Sequence, residues 1–346
     1  MKTKFTYALG VMLSAAFLMT SCSKNSEKSI SPAKVDATGK TPKLASAAAG
    51  TTIWGASSQP FPGETLGTGD NGSITSWQRL NRRLQSKNGD IGLKFRRSYD
   101  TGIPANFSAS GMAGDIGNSD VSVGEIKPDW IETANGTNFN QIKQYVQTFP
   151  AGRTIYLVFF HEPEDNVKTG YTFDVLQHAF AQFVAAVIAA GNPDVHPCYV
   201  LMSYTFKPAS GRNPDNYNMG TYLTAAQKSQ VIAGLDGYAN DPTVTASQTF
   251  NANFNKMGTW GFTRFGIFET GVHANTTATA RKNWIVGLGT WVNSRTDIEL
   301  VSYFNSGIGE NAGPTGWYLG NWYKTGTTYT WDDADGTIDA YAQLIK

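Results

Sequence analysis

Residues 156–165 read YLVFFHEPED and residues 264–272 read RFGIFETGV, and these two stretches decide the fold. Each is a short apolar run that ends in a carboxylate, Glu162 in the first and Glu269 in the second. A continuous apolar run indicates a strand that is buried on both faces, as in a parallel sheet. In a (β/α)8 barrel, functional side chains lie where such strands meet their loops, at the C-terminal face. Two carboxylates in these positions suit acid/base and nucleophilic chemistry on a glycosidic bond.

Apolar runs and amphipathic segments alternate along the rest of the chain. Residues 173–188 show the clearest helical pattern, with large apolar residues at the spacing of one buried face. Repeated strand–helix alternation predicts a parallel sheet. Eight strands within the 297 residues from 50 to 346 give about 37 residues per unit, which predicts a single (β/α)8 TIM barrel. The predicted strands lie at residues 52–55, 93–99, 121–126, 154–160, 199–204, 231–238, 265–268 and 298–304.

The N-terminal segment has the pattern of an export signal. Lys2 and Lys4 precede an apolar stretch, and Met19-Thr20-Ser21-Cys22 resembles a bacterial lipobox. We therefore interpret residues 1–21 as a lipoprotein signal peptide and expect lipid on Cys22. Residues 22–49 are rich in Ser, Lys, Ala, Thr and Pro, which predicts a flexible tether. The expected protein is an exported bacterial lipoprotein, periplasmic or on the cell surface, that meets the membrane only through its anchor.

Charge and cysteine content exclude several classes of function. The formal net charge is +1, and removal of Lys2 and Lys4 with the signal leaves −1. No cluster of Lys and Arg provides the basic footprint of a nucleic-acid-binding protein. After Cys22 only Cys198 remains, in an apolar run, and we interpret it as buried and inert. No CxxC or paired-His spacing indicates zinc. We expect a monomer without metal or organic cofactor.

Three short motifs, in order, carry a family resemblance. His161-Glu162 ends strand four, Glu269-Thr270-Gly271 ends strand seven, and residues 235–238 read LDGY on strand six. Together they resemble glycoside hydrolase family 26 of clan A. This resemblance implies a retaining β-glycosidase acting on a plant-type β-polysaccharide, most often an endo-β-1,4-mannanase. It also implies Glu162 as acid/base, Glu269 as nucleophile, His161 as an orienting group and Tyr238 as a hydrogen-bond donor to the nucleophile.

Other functions stay open on the same barrel. Residues 158–160 read VFF, whereas mannanase members of the family carry Arg-Pro-Trp there. A β-1,3-1,4-glucanase or a β-1,3-xylanase is therefore an alternative. A non-catalytic carbohydrate-binding surface lipoprotein is another, although the presence of both glutamates favours an enzyme.

Further residues are candidates for substrate contact or for support of the site. A catalytic acid must hold its proton, so we expect burial and repulsion from Glu269 to raise the pKa of Glu162. Gly271 is expected to turn the chain away from strand seven. We interpret Glu164 and Asp165 as solvated loop charges. Either Arg96 or Arg97 faces the barrel interior, and the pattern does not distinguish them. The substrate-binding candidates are Trp54, Arg97, Phe160, Trp130, His273 and Trp317.

Overall fold

The computed structural model describes residues 52–58, 73–114, 120–273, 277–306, 316–325, 328–332 and 335–345. The predicted signal peptide at residues 1–21, the tether at residues 22–49 and the lipidation site Cys22 lie outside the described residues. Among the residues described, none forms a helix both long and apolar enough to cross a membrane.

Strands and helices alternate along most of the chain. The strands are β1 (Ile53–Ser58), β2 (Arg97–Tyr99), β3 (Val121–Ile126), β4 (Thr154–Phe159), β5 (Val195–Met202), β6 (Ile232–Ala239), β7 (Phe265–Val272), β8 (Ile298–Asn305), β9 (Asn321–Thr325) and β10 (Thr328–Asp332). The helices are α1 (Ser73–Lys87), α2 (Trp130–Ala134), α3 (Phe139–Gln147), α4 (Phe173–Ala189), α5 (Ala225–Lys228), α6 (Ala246–Thr259), α7 (Ala278–Asn293) and α8 (Thr337–Ala342).

Eight of these strands form one parallel sheet in the order β1-β8-β7-β6-β5-β4-β3-β2. The two ends of this sheet meet at a parallel bridge between Ala56 and Arg96, which nearly closes the barrel. Strands β9 and β10 form a separate antiparallel pair. The predicted (β/α)8 barrel is therefore confirmed.

The core has two parts, as expected when successive side chains of a strand point to opposite faces. The larger part fills the space between strands and helices, where Phe159 packs on Phe180 and Phe183 of α4. The smaller part, which we call the inner core, fills the barrel itself. Its buried members are Phe95, Val123, Tyr156, Val158, Cys198, Val200, Ile232, Phe268 and Leu300. Cys198 is thus buried, as predicted.

Two predicted strand boundaries differ from the structure in ways that matter for the site. Strand β5 begins at Val195 rather than at Tyr199, since His196 and Pro197 pair with β4 despite their lower strand propensity. Strand β7 continues to Val272, so Glu269 lies within the strand rather than on the loop after it. Tertiary pairing with β6 extends β7 through residues 269–272, which the residue pattern alone did not require.

Candidate active site

The C-terminal half of the barrel interior carries charged side chains above the inner core. Arg97 begins β2 two residues after Phe95, and Glu125 follows Val123 by two residues on β3. Because side chains alternate with period two, each pair shares the interior face of its strand. Asp236 occupies the corresponding face of β6 and is buried. Apolar packing at the bottom of the barrel thus sets which polar side chains meet at the top.

An irregularity in β7 brings Glu269 into this group. Leu235 of β6 pairs with Ile267, yet the next residue, Asp236, pairs with Glu269, so β7 contains one extra residue at Phe268. A bulge of this kind re-aims side chains. Both Phe268, whose ring centroid lies 5.7 Å from Arg97 Cζ, and Glu269, 2.9 Å from Arg97 Nη1, therefore contact the same guanidinium. Regular alternation would send one of the two to the opposite face.

Three donors hold the Glu269 carboxylate. Tyr99 donates its hydroxyl to Oε1 at 2.6 Å, and Arg97 Nη1 lies 2.9 Å from the same oxygen. Tyr238 donates to Oε2 through a short hydrogen bond. Burial raises the pKa of both tyrosines well above the usual range, so they act as neutral donors. The predicted contact of Tyr238 with Glu269 is present, and Tyr99 adds a contact that the sequence analysis did not anticipate.

Arg97, rather than Arg96, faces the interior and connects three carboxylates. Its Nη1 lies 3.2 Å from Asp236 Oδ1, and its Nη2 lies 3.5 Å from Glu125 Oε2. Arg96 instead donates to the backbone oxygen of Gly111 outside the barrel. Burial raises the pKa of Asp236 well above its ordinary value, against the opposing effect of Arg97. The site therefore favours at least one protonated carboxyl group.

Glu162 lies directly after β4 in a constrained segment. Phe160 and Glu162 both adopt positive φ, at 48° and 49°, a region that residues other than glycine seldom occupy. The Glu162 backbone N–H donates to Val200 O on β5 at 3.1 Å, which fixes this segment to the neighbouring strand. Its side chain is 29% exposed and so remains open to a substrate. Non-glycine residues held in this conformation are concentrated at functional sites.

The protonation of Glu162 suits a catalytic acid. Burial, with an added contribution from the negative charge of Glu269, raises the pKa of Glu162 to about 7. Arg97 acts in the opposite direction but does not cancel this effect. The raised pKa agrees with the expectation from the sequence, in direction and in cause. At neutral pH a substantial fraction of Glu162 therefore holds a proton.

His161 connects Glu162 to a carboxylate that the sequence analysis missed. Its Nδ1 forms a short hydrogen bond with Glu125 Oε2, and its Nε2 lies 4.0 Å from Glu162 Oε2. Burial opposes the charged form of Glu125. The hydrogen bond from His161 and the charges of His161, Arg97 and Lys127 outweigh burial and hold the pKa of Glu125 below its usual range. Glu125 is the next-to-last residue of the predicted strand 121–126, so a carboxylate near a strand end is the signal that could have found it.

A pocket adjoins the Glu162 segment. Its volume is about 300 Å³, and Phe160 and Asn166, on either side of Glu162 in the chain, both line it. Lys127 lies 5.3 Å from the centre of the Phe160 ring. The predicted contact residues Phe160 and Trp130 therefore lie together here, although Trp130 is fully buried and forms part of the wall. Its remaining lining residues are Lys127, Pro128, Asp129, Lys168 and Tyr171.

Two further predicted substrate contacts, His273 and Trp317, lie near Tyr238 of β6. The ring of Trp317 lies 4.7 Å from Tyr238 and 5.7 Å from His273. Gly271 does not turn the chain, because it lies within β7. A Cβ on Gly271 would lie 2.8 Å from Trp317 Cβ, so this glycine makes room for Trp317.

Trp54 does not join the site. It is buried in the larger core on β1, and its ring meets Tyr341 of α8 edge-on at 5.8 Å. Successive side chains of β1 alternate between the two faces of the sheet, and Ile53 packs against the inner core, so Trp54 points to the outer face. The interpretation of Trp54 as a substrate contact is therefore replaced by a role in the core.

Glu164 is also different from its expected role as a solvated loop charge. The residue is 5% exposed, and its Oε1 accepts from Met202 N at 2.7 Å and from Thr205 Oγ1 at 2.9 Å. Burial raises its pKa to about 7. Asp165 is exposed as expected and pairs with Arg212 at 2.6 Å.

We expect Glu164→Gln to stabilise the protein at alkaline pH. The folded state keeps a proton that the unfolded state releases above its ordinary pKa of 4.5, so stability falls as pH rises from there to about 7. A carboxyl group shifted this far costs roughly 3 kcal/mol when ionised, and the amide avoids that cost while keeping the acceptor oxygen. Urea unfolding at pH 5 and pH 8 measures the effect. Asp165→Asn is the matched control and should not change this difference.

The charged cluster also resembles a cation site in outline. One atom each of His161, Asp236 and Glu269 lie within 4.8 Å of one another. Arg97 contacts the carboxyl groups of Asp236 and Glu269, so its guanidinium supplies a positive charge between them. The arrangement can position a nucleophile and a proton donor by its own side chains.

Comparisons with known proteins agree on the fold. No family model and no curated protein sequence matches the chain. One of two fungal β-1,4-galactanases matches in structure with a TM-score of 0.55 and 11% identity, covering 84% of this chain and 99% of that one. CJP38, a β-1,3-glucanase and allergen of Cryptomeria japonica pollen, matches with a TM-score of 0.52 and 14% identity, covering 78% of this chain and 96% of that one. The virulence factor SghA of Agrobacterium tumefaciens matches with a TM-score of 0.53 and 12% identity, covering 85% and 96%. The chain thus shares the barrel fold of known β-glycan hydrolases, while a specific relation to family 26 is not shown.

Proposed function

We propose that this protein is a retaining β-glycoside hydrolase with Glu269 as nucleophile and Glu162 as acid/base. The observation that carries this proposal is the contrast between the two glutamates at one end of the barrel. Glu269 is 7% exposed and fixed by three donors, whereas Glu162 is more open, with its pKa raised to about 7. Two carboxyl groups with different environments are the requirement for this chemistry.

The reaction then proceeds in two displacements. Glu269 attacks the anomeric carbon while Glu162 donates its proton to the departing glycosidic oxygen, which leaves as an alcohol. A covalent glycosyl-enzyme forms on Glu269. Glu162, now a carboxylate, takes a proton from water as that water attacks the anomeric carbon and releases Glu269. Tyr99, Tyr238 and Arg97 hold the nucleophile oriented before attack and compensate its charge when it is released.

A β-linked polysaccharide is the proposed substrate class, with β-1,4-mannan as the first candidate from the sequence resemblance. The activities of two structural neighbours, a β-1,4-galactanase and a β-1,3-glucanase, support the β-glycan class in general. The pocket beside Glu162 is the proposed place for the leaving-group sugar, because the acid must reach the departing oxygen. Phe160 and Tyr171 offer aromatic surface there, and Lys127, Asp129 and Asn166 offer polar groups.

The proposal is tested by incubating the barrel with β-1,4-mannan, β-1,3-glucan, β-1,3-1,4-glucan, β-1,3-xylan and β-1,4-galactan. Released reducing ends measure hydrolysis, and NMR of the first product shows whether the β configuration is retained. Hydrolysis with inversion would contradict a nucleophilic Glu269. Binding to a glycan without any hydrolysis would instead support the carbohydrate-binding alternative.

The raised pKa of Glu162 predicts an alkaline limit to activity. Only the protonated form assists departure of a sugar, so kcat/KM on a polysaccharide should fall above a midpoint of about pH 7, approaching tenfold per pH unit. The measurement is a pH–rate profile from pH 5 to pH 9 under conditions where the protein stays folded. A flat profile over this range would remove Glu162 from the role of acid.

A further inference from the structure

The turn that carries Glu162 has a backbone conformation that its own residue types do not favour. Phe160 and Glu162 have φ values of 48° and 49°, and neither is a glycine. Non-glycine residues keep such a conformation only where surrounding contacts over-determine it. The position of the Glu162 carboxyl group therefore depends on the contacts that this turn makes with the rest of the barrel.

Backbone hydrogen bonds tie the turn to the neighbouring strands as far as Glu162. Phe160 N donates to β3 at 3.0 Å, and Glu162 N donates to β5 at 3.1 Å. Pro163 comes next and has no N–H to donate. Beyond it, Asn166 N donates locally to Pro163 O. The contact between residues 163–166 and the end of β5 is left to side chains.

Glu164 supplies a buried contact at this place. Its Oε1 accepts from Met202 N at the end of β5 at 2.7 Å and from Thr205 Oγ1 at 2.9 Å. Because Glu164 is buried, water competes little for this oxygen. The contact does not depend on the protonation of Glu164. A carboxyl group that holds its proton on Oε2 still accepts at Oε1, as a carboxylate does.

A second side-chain contact beside it is exposed to solvent. Asp165 Oδ1 pairs with Arg212 Nη2 at 2.6 Å, and Arg212 Nη1 donates to Thr205 Oγ1 at 3.2 Å. The side chain of Asp165 is 61% exposed, and ion pairs in such surroundings contribute little to stability. Glu164 is therefore the principal side-chain contact that holds the turn after Glu162 against β5.

We propose that Glu164 is a positioning residue that holds the Glu162 carboxyl group in place for proton donation, by tying the turn after Glu162 to the end of β5. This inference rests on the proposed role of Glu162 as catalytic acid. Glu164 lies two residues after Glu162, and the ring of Pro163 between them fixes φ and makes the connection stiff. A displacement of about 1 Å at a reacting group lowers rates by about 10²-fold. Loss of the Glu164 contact should therefore slow the step that needs the acid.

Substitutions of Glu164 test this role through the leaving group. Glu164→Ala removes the acceptor and should lower kcat on a polysaccharide by about 10²-fold at pH 6, with little change in KM. For an aryl glycoside with a good leaving group, kcat/KM should fall less than about threefold, because that group needs little protonation. Glu164→Gln keeps an acceptor oxygen at the position of Oε1 and should restore kcat on the polysaccharide to within about threefold of the parent protein.

Three kinetic results would overturn the inference. Equal losses on both substrates in Glu164→Ala would indicate a general effect on the barrel. An unchanged kcat on the polysaccharide, with or without a raised KM, would show that Glu164 does not act on the acid. A Glu164→Gln variant as slow as Glu164→Ala would show that the acceptor oxygen is not the group that matters. Glu299→Ala is the matched control, since it removes a largely buried carboxylate that pairs with Arg264 at the start of β8, and it should not separate the two substrates.

Hydrogen–deuterium exchange tests the contact without any substrate. Peptides that cover residues 160–166 should exchange faster in Glu164→Ala than in the parent protein, and at the parental rate in Glu164→Gln and Glu299→Ala. Unchanged exchange in Glu164→Ala would contradict the inference. If the parent protein hydrolyses no glycan, the proposed function fails, and the exchange rates still decide whether Glu164 holds this turn.

Thr205→Val takes the place of Glu164→Ala if that variant does not fold, as judged by circular dichroism and thermal melting. It removes one of the two donors to Glu164 Oε1 and keeps the other, Met202 N. We expect the same separation of substrates and the same faster exchange, each at a smaller size. Absence of both changes would overturn the inference.

Discussion

Glu269→Ala should lower turnover of a glycan by at least ~10³, because the covalent step loses several kcal/mol of stabilisation. The variant should keep the fold, since Glu269 is held by donors at the end of the barrel rather than by the inner core. Steady-state rates measure the loss, and glycan binding should stay close to that of the parent protein. Glu299→Ala removes a carboxylate from the start of β8, where it pairs with Arg264, and is the control for a general effect on the barrel.

Azide provides the decisive extension of this experiment. A small anion can occupy the space vacated by the Glu269 carboxylate and restore turnover of an activated aryl glycoside. Attack then comes from the face that the carboxylate left, so the product should be the α-glycosyl azide. A β-glycosyl azide, or parental activity in Glu269→Ala without azide, would show that Glu269 is not the nucleophile.

Glu162→Ala should have an effect that depends on the leaving group. Hydrolysis of a natural polysaccharide should fall by ~10² or more in kcat/KM, since departure of a sugar needs a proton. Hydrolysis of an aryl glycoside with an acidic phenol should fall much less in the same parameter. The alkaline limb of the pH profile should also disappear, because its titrating group is gone.

The comparison of leaving groups contains its own control. Loss of fold or of substrate binding lowers kcat/KM for both substrates by the same factor. Loss of the acid instead lowers kcat/KM for the polysaccharide much more than for the aryl glycoside. Equal losses on the two substrates would therefore exclude Glu162 as the acid. Asp174→Asn, on α4 with its side chain 65% exposed, should leave both rates close to those of the parent protein.

The sequence alone was sufficient for the barrel and for the two catalytic candidates. Strands buried on both faces must be apolar throughout, so a carboxylate at the end of such a run stands out against its surroundings. This signal identified Glu162 after β4 and predicted Glu269 just after strand seven, and a carboxylate near a strand end also marks Glu125, the next-to-last residue of β3. The resemblance to known motifs added Tyr238, whose contact with Glu269 the structure confirms.

Only the tertiary structure decided which side chains meet. The period of a strand is visible in its sequence, but the phase that selects Arg97 over Arg96 is set by neighbouring strands through the inner core. The extra residue in β7 is defined by its register against β6, and it alone lets Phe268 and Glu269 both reach Arg97. Trp317, which follows β8 in the chain, contacts Tyr238 in the site, whereas Trp54 packs against Tyr341 in the core. These outcomes depend on contacts between residues far apart in the chain, and no local pattern of residue types encodes such contacts.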